Sequence, residues 1–138
     1  MLKKLFSNGR DTKNHLICVV SGEPSVVERT AEIIRSAGYQ VQAETNVEAV
    51  LALLDQPPLP DVFILDLKML DTDIPKFLEI IRNRFGRTDL PPVLLLANDK
   101  EGEVIANTLQ VSDYLQRPFK DEELLTHVWQ LLEKKISS

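Results

Sequence analysis

The stretch Pro60–Leu70, with the sequence PDVFILDLKML, determines how the rest of this chain is organised. Its apolar run, Val62–Leu65, ends in a single acid, Asp66, and a polar patch follows within a few residues. A short apolar run bounded by turn-forming residues predicts a strand that is buried on both faces. Asp66 then lies at the carboxyl end of that strand, where open parallel sheets build their sites, although an aspartate is also an ordinary loop residue.

The composition limits the class of protein. The chain has 138 residues, of which 43% are hydrophobic, and this is enough for one domain with a core. Its formal net charge of −5 disfavours nucleic acid as a partner. A single cysteine favours a reducing, cytoplasmic compartment. No apolar run approaches the length of about 20 residues that a membrane span needs, and the basic start lacks the apolar core of a secretory signal.

Residues 1–14 form a polar, slightly basic tail, for which both disorder and a weak docking role are open. The globular domain is expected to cover residues 15–135, followed by a short C-terminal end at 136–138. Within the domain, five strand candidates alternate with five helical patterns. The strands are predicted at residues 15–20, 39–43, 62–65, 93–96 and 113–116, and Asp121 is predicted to cap the last helix.

Alternation of strands and helices predicts parallel pairing, right-handed crossovers and helices on both faces of the sheet. The expected architecture is a flavodoxin-like, doubly wound (βα)5 sheet of order 2-1-3-4-5. Strands 1, 3 and 4 are the most apolar, which fits central positions. The loops after strands 1, 3, 4 and 5 then converge at one edge and carry Ser21-Gly22-Glu23, Asp66, Ala97-Asn98-Asp99 and Arg117.

Two classes of enzyme or cofactor protein are disfavoured. The histidines, His15 and His127, fall away from the edge that carries Asp66, so no nucleophile–base pair of a hydrolase is expected there. The loop after strand 1 is too short and too acidic to bind a flavin phosphate. We therefore expect a domain that is not an enzyme and has no cofactor.

Five segments follow one another in order along the domain: ICVVSGEPSV, AGYQVQAETNVEAVLALL, PDVFILDLKML, PPVLLLAND and SDYLQRPFKDEELL. In this order the chain resembles, from about Leu16 to Lys135, the receiver domain of bacterial two-component response regulators. The resemblance implies the flavodoxin-like fold and a phosphoryl group taken from a partner histidine kinase onto an aspartate. Asp66 falls on the acceptor position, and Met69 is the residue three positions further along.

The chain departs from the family at its chemical positions. The family's acidic pair, which holds Mg²⁺ with the acceptor, falls on Ser21 and Gly22. Its Thr or Ser after strand 4 falls on Ala97, its lysine on Arg117, and its switch aromatic on Tyr114. We interpret the chain as a degenerate or pseudo-receiver, a stand-alone protein interaction module that does not depend on phosphorylation. A DNA-binding output domain is not expected.

The alternative is a single-domain response regulator that is still phosphorylated on Asp66 in a His–Asp phosphorelay. Mg²⁺ is expected only under this alternative. Its ligands would then be Asp66 and Glu23, helped by the Lys68 carbonyl, with Asp99 as a weaker candidate.

Arg117 has two interpretations. In one, its guanidinium pairs directly with Asp66 and replaces the metal ion, because a largely buried carboxylate needs a counter-charge. In the other, Arg117 extends to solvent, and water reaches Asp66 where Gly22 and Ala97 lack the family's side chains.

A second candidate surface is the face formed by helix 4, strand 5 and helix 5, where receivers commonly dimerise or dock partners. Val104, Tyr114 and Trp129 are its candidate residues. Exposed tryptophan is enriched at interfaces, but Trp129 is equally suited to cover the edge of the core. The expected partner is a signalling protein, such as a kinase, or a second copy of the chain.

Overall fold

The computed structural model describes residues 15–66, 74–85, 90–98 and 100–137. The strands in these ranges are β1 (Leu16–Val20), β2 (Gln40–Glu44), β3 (Val62–Asp66), β4 (Val93–Ala97) and β5 (Asp113–Gln116). The helices are α1 (Pro24–Ser36), α2 (Val47–Leu53), α3 (Ile74–Phe85), α4 (Glu101–Leu109) and α5 (Asp121–Ser137). The predictions for residues 1–14, Lys68, Met69 and Asp99 lie outside the described residues.

The sheet has the predicted architecture. Its strands are all parallel and lie in the order β2-β1-β3-β4-β5. Every residue of β1, β3 and β4 is buried, whereas the edge strands β2 and β5 are partly exposed. The apolar runs therefore occupy the centre of the sheet, as expected for strands covered by helices on both faces. The flavodoxin-like order predicted from the sequence is confirmed.

A separate apolar core lies on each face of the sheet, because successive side chains of a strand point to opposite sides. On one face, Ile17, Ile64 and Leu94 pack against α1 and α5. On the other, Phe63 and Leu65 pack with residues of α2, α3 and α4. Each fully buried side chain of this size stabilises the fold by about 1.5–3 kcal/mol. None of the helices in the described ranges has the length and apolar character to cross a membrane.

The helix ends follow simple local rules, with one correction. Pro24 begins α1, and after α1 the chain turns at Gly38, whose φ of 99° suits glycine. Asn46 caps α2, since its side chain accepts a hydrogen bond from Ala49 N at 2.9 Å. Asp121 was predicted to cap α5 but is instead its first residue. The first turn is closed by Glu123, whose Oε1 accepts a hydrogen bond from the backbone N–H of Lys120 at 2.9 Å.

Helix α4 is fixed at both ends, and this positions it next to the carboxyl edge of the sheet. At its start, Gly102 lies so close to β4 that a Cβ there would be 2.3 Å from the Cβ of Ala97. At its end, Arg82 of α3 donates from Nη2 to the carbonyl of Leu109 at 2.8 Å. The small residues at 97 and 102 therefore set how closely α4 packs on β4.

We expect Gly102→Ala to destabilise the protein by about 1–3 kcal/mol, because the added methyl group overpacks this contact. In an open helix the same change usually stabilises by up to about 1 kcal/mol. Chemical denaturation measures the free energy of unfolding. Asn107→Ala, at an exposed position of the same helix, is the control and should change it by less than about 0.5 kcal/mol. A Gly102→Ala variant as stable as the parent would contradict the tight α4–β4 contact.

Candidate functional site

Three strand ends bring Ser21, Asp66 and Arg117 together. Asp66 is the last residue of β3, Ser21 directly follows β1, and Arg117 directly follows β5. The carboxyl ends of parallel strands meet at one edge, so residues far apart in the chain become neighbours there. Asp66 is only 3% exposed and Ser21 is fully buried. A carboxylate in this position needs partners within the protein.

Ser21 makes a shorter contact to Asp66 than Arg117 does. Its Oγ donates a hydrogen bond to Asp66 Oδ2 at 2.8 Å. The same Oγ accepts a hydrogen bond from the backbone N–H of Glu23 at 3.1 Å. Because the Glu23 N–H occupies an acceptor position of the hydroxyl, the Ser21 proton is directed at Asp66. Ser21 therefore stabilises the carboxylate of Asp66 as a hydrogen-bond donor.

Arg117 faces Asp66 with its guanidinium fork. Nη1 lies 3.4 Å from Oδ1, and Nη2 lies 3.4 Å from Oδ2. These distances exceed the roughly 2.7–2.9 Å of a tight charge-assisted pair, so the fork is aligned but loose. Nη1 also donates to Asn98 Oδ1 at 3.1 Å, and the Arg117 backbone N–H donates to the Ala97 carbonyl at 2.7 Å. Of the two interpretations of Arg117, this geometry matches the paired one.

In the part of the chain that the structure describes, the side chains beside Asp66 offer few ligands for Mg²⁺. This ion requires near-octahedral coordination by oxygen ligands. Ser21 is already committed to Asp66 as a donor, and Gly22 offers no side chain. The guanidinium of Arg117 faces both carboxylate oxygens and would repel a cation placed there. Within the described ranges, no three His, Cys, Asp or Glu side chains form a group suited to a metal ion.

Tyr114 lies beside the start of α4 rather than at Asp66. A Cβ at Gly102 would lie 3.6 Å from Cδ2 of its ring, and its hydroxyl donates to Oε2 of Glu103 at 3.3 Å. Burial of the ring and the negative charge of Glu103 both raise the pKa of the Tyr114 hydroxyl. Val104, on the same helix, is 66% exposed, and Trp129 of α5 is half-buried. The structure thus separates these surface candidates from the Asp66 cluster.

Two polar contacts were not anticipated from the sequence. Asn98 provides a second acceptor for Arg117, and its place directly after β4 is the feature that could have indicated this role. His127 on α5 contacts Asp113 at the start of β5 through Nδ1 and Oδ2. Nothing in the spacing of these two residues indicates the contact, because it depends on how α5 packs beside the edge strand.

Comparisons with known proteins agree with this fold. A family model described as the response regulator receiver domain matches residues 17–129. The chain is similar to the phosphate regulon transcriptional regulatory protein PhoB of Klebsiella pneumoniae, with 28% identity over 114 residues, covering 81% of this chain and 49% of that protein. It is also similar to the response regulator SaeR of Staphylococcus aureus strain USA300, with 26% identity over 121 residues, covering 87% and 51% respectively.

The chain therefore spans about half the length of these curated relatives. Among solved structures, the crystal structure of a putative response regulator from Chloroflexus aurantiacus J-10-fl matches with a TM-score of 0.77 and 27% identity. That match covers 88% of this chain and 99% of the other.

We expect Arg117→Met to reduce the free energy of unfolding by about 1–2 kcal/mol. Removing one partner of a fully buried ion pair costs about 3–5 kcal/mol, and the cost here is smaller because the Arg117 contacts are long and its side chain is partly exposed. Arg35→Met, at an exposed position of α1, is the control and should cost less than about 0.5 kcal/mol. Adding Asp66→Asn to Arg117→Met should recover part of the loss, since no unpaired charge remains. Equal stability of Arg117→Met and the parent would contradict the pair.

We also expect Glu103→Gln to lower the pKa of Tyr114, because the change removes a negative charge next to the hydroxyl. The ultraviolet absorbance of ionised tyrosine measures this in an alkaline titration. Burial raises the pKa of Tyr39, the chain's other tyrosine, to about 12, and a Tyr39→Phe background removes its absorbance from the titration. Glu122→Gln, on the exposed side of α5, should leave the titration unchanged. An unshifted Tyr114 midpoint in Glu103→Gln would disprove the contact.

Proposed function

Because the chain belongs to the response regulator receiver domain family, we propose that it is a signalling module that acts through protein contacts and not through phosphorylation of Asp66. The proposed module is not an enzyme, and its Asp66 site is degenerate. Its single buried cysteine, Cys18, supports a reducing, cytoplasmic setting.

One observation carries this proposal, the occupation of both carboxylate oxygens of Asp66. Oδ2 accepts from the Ser21 hydroxyl at 2.8 Å and faces one guanidinium nitrogen, while Oδ1 faces the other. Phosphoryl transfer depends on positioning and on neutralising charge on the transferred group, usually with Mg²⁺. An attacking oxygen of Asp66 would have to give up its present partners, and the residues beside it are poor ligands for the ion.

Ala97, the last residue of β4, also supports the proposal that Asp66 is not phosphorylated. It carries no hydroxyl that could bind a phosphoryl oxygen, and it is fully buried against Gly102. Losing one preorganised donor of this kind typically lowers a rate by about 10²–10³. The combined changes at residues 21, 22 and 97 make Asp66 a poor acceptor.

The proposed contact surface is the α4-β5-α5 face. Val104 is a large apolar side chain that is 66% exposed at this place. Tyr114 of β5 is held by a hydrogen bond to Glu103, which gives the face an aromatic side chain in a defined position. Trp129 of α5 is half-buried, so part of its side chain is accessible to solvent. We propose that a signalling protein, such as a kinase, or a second copy of the chain docks here.

An amide NMR titration tests the proposal, first with Mg²⁺ and then with Mg²⁺ plus beryllofluoride, which mimics an aspartyl phosphate. We expect no saturable shifts of the Ser21, Ala97 and Tyr114 amides at millimolar Mg²⁺, and none on adding beryllofluoride. Saturable shifts that disappear in Asp66→Asn would overturn the proposal. They would support the alternative, a response regulator that is still phosphorylated on Asp66.

The matched control restores the acids that the family carries after β1. A Ser21→Asp, Gly22→Asp double variant should bind Mg²⁺ with saturable shifts near Asp66, because it adds two carboxylates to the site. Its circular dichroism spectrum verifies folding before the titration. If this variant responds to Mg²⁺ and the parent does not, the difference lies in residues 21 and 22 and not in the sensitivity of the measurement.

A further inference from the structure

The outer edge of β5 carries backbone N–H groups that β4 does not bind. In the described sheet, β5 is the last strand and pairs only with β4. Alternate residues of a strand in a parallel pair turn their N–H groups toward the neighbouring strand. The N–H of Arg117 donates to the carbonyl of Ala97 in β4 at 2.7 Å. By this alternation the N–H of Tyr114 points away from β4, to the outer edge of the sheet.

Asp113 supplies an acceptor for this N–H from within the same strand. Its Oδ1 accepts a hydrogen bond from the backbone N–H of Tyr114 at 2.8 Å. A free N–H on an edge strand is a place where another strand can pair with the sheet. The Asp113 carboxylate therefore occupies a position that an added strand would use.

His127 of α5 binds the other oxygen of that carboxylate. Its Nδ1 contacts Oδ2 of Asp113, and because a carboxylate only accepts hydrogen bonds, Nδ1 is the donor. The two side chains are only 27% and 29% exposed, which limits competition from water. With one oxygen bound to α5 and the other to β5, the carboxylate cannot rotate without breaking a contact. His127 therefore fixes the orientation in which Asp113 binds the Tyr114 N–H.

Tyr114 is also held through its ring. Its hydroxyl donates to Oε2 of Glu103 in α4 at 3.3 Å. The contacts thus run from His127 through Asp113 and Tyr114 to Glu103, and they join α5 to α4 across the edge strand. None of these three contacts includes an atom of Asp66. The position of the aromatic side chain on this surface therefore depends on α5 as well as on α4.

We propose that His127 is a positioning residue for the α4-β5-α5 face, which acts through Asp113 to hold the backbone of Tyr114 and to close the outer edge of β5. The inference rests on the proposed function, and it deepens that function by naming what keeps the contact surface in one arrangement. Because the Tyr114 N–H is occupied, a partner meets the tyrosine ring and not a free strand edge.

Exchange of the Tyr114 amide proton with solvent, measured by NMR, tests this role without a ligand. We expect His127→Ala to speed that exchange by about threefold or more, because the hydrogen bond from Tyr114 to Asp113 is weakened. The Leu115 amide, which the alternation turns toward β4, should exchange as in the parent. Gln130→Ala, at an exposed position of α5, is the matched control and should leave the Tyr114 amide unchanged. If the alanine variant does not fold, His127→Phe keeps a ring without a donor and replaces it.

Further variants show whether His127 acts through Asp113. Asp113→Ala should speed Tyr114 exchange at least as much as His127→Ala does. Adding His127→Ala to Asp113→Ala should then change the exchange little, since the residue through which His127 acts is already lost. His127→Gln, whose side-chain amide can still donate, should restore part of the protection.

The same variants test whether the effect reaches α4. In the Tyr39→Phe background, Glu103→Gln should lower the pKa of the Tyr114 hydroxyl less when residue 127 is also changed by His127→Ala. The reason is that a ring whose backbone is released lies less firmly against Glu103.

Several results would overturn the inference. These are unchanged Tyr114 exchange in the variants of His127, additive effects of His127→Ala and Asp113→Ala, no recovery in His127→Gln, or an effect of Glu103→Gln that does not depend on His127. An equally large effect of Gln130→Ala would also overturn it. The proposed function fails separately, because a response to beryllofluoride would refute phosphorylation independence and leave these exchange measurements as they are.

Discussion

The burial of one carboxylate at the end of a central strand constrains the whole carboxyl edge of this sheet. Asp66 is 3% exposed, and an uncompensated charge in such a place costs several kcal/mol. Its compensation comes from the ends of two other strands, a hydroxyl after β1 and a guanidinium after β5. Because β3 pairs directly with β1 but is separated from β5 by β4, the long side chain of Arg117 is what spans that distance. The residues that follow β1 and β5 are therefore held in place by contacts with a single carboxylate.

The neighbouring α4 surface depends on packing of a different kind. Ala97 is small enough for Gly102 to lie against it, and this contact sets the height of α4 above the sheet. Tyr114 then lies over the first turn of α4, where Glu103 accepts its hydroxyl. The α4–β5 part of the α4-β5-α5 face is therefore shaped by two small residues and a hydrogen bond, and neither contact involves Asp66. This part of the surface is therefore preorganised for a partner that binds it.

The sequence predicts much of this arrangement, because strand–helix alternation and the apolar character of β1, β3 and β4 determine the sheet order. Topology alone then places Ser21, Asp66 and Arg117 at one edge. The hydrogen bond from Ser21 and the second acceptor at Asn98 depend on side-chain rotamers, which no pattern of residues specifies. The Gly102 contact depends on distances of a few tenths of an ångström. The helix start at Asp121 was misplaced by one residue, since neighbouring polar residues compete for the cap.

Arg117 differs from a metal ion in one physical respect that bears on signalling. A bound ion exchanges with solvent, so its concentration and charge can change what Asp66 does. A guanidinium attached to the chain cannot leave, and its charge does not titrate in proteins. Among the described contacts, the positive charge beside Asp66 can therefore change only if Arg117 itself moves. In the proposed module, signalling therefore depends on contacts of the protein surface and not on a change of charge at Asp66.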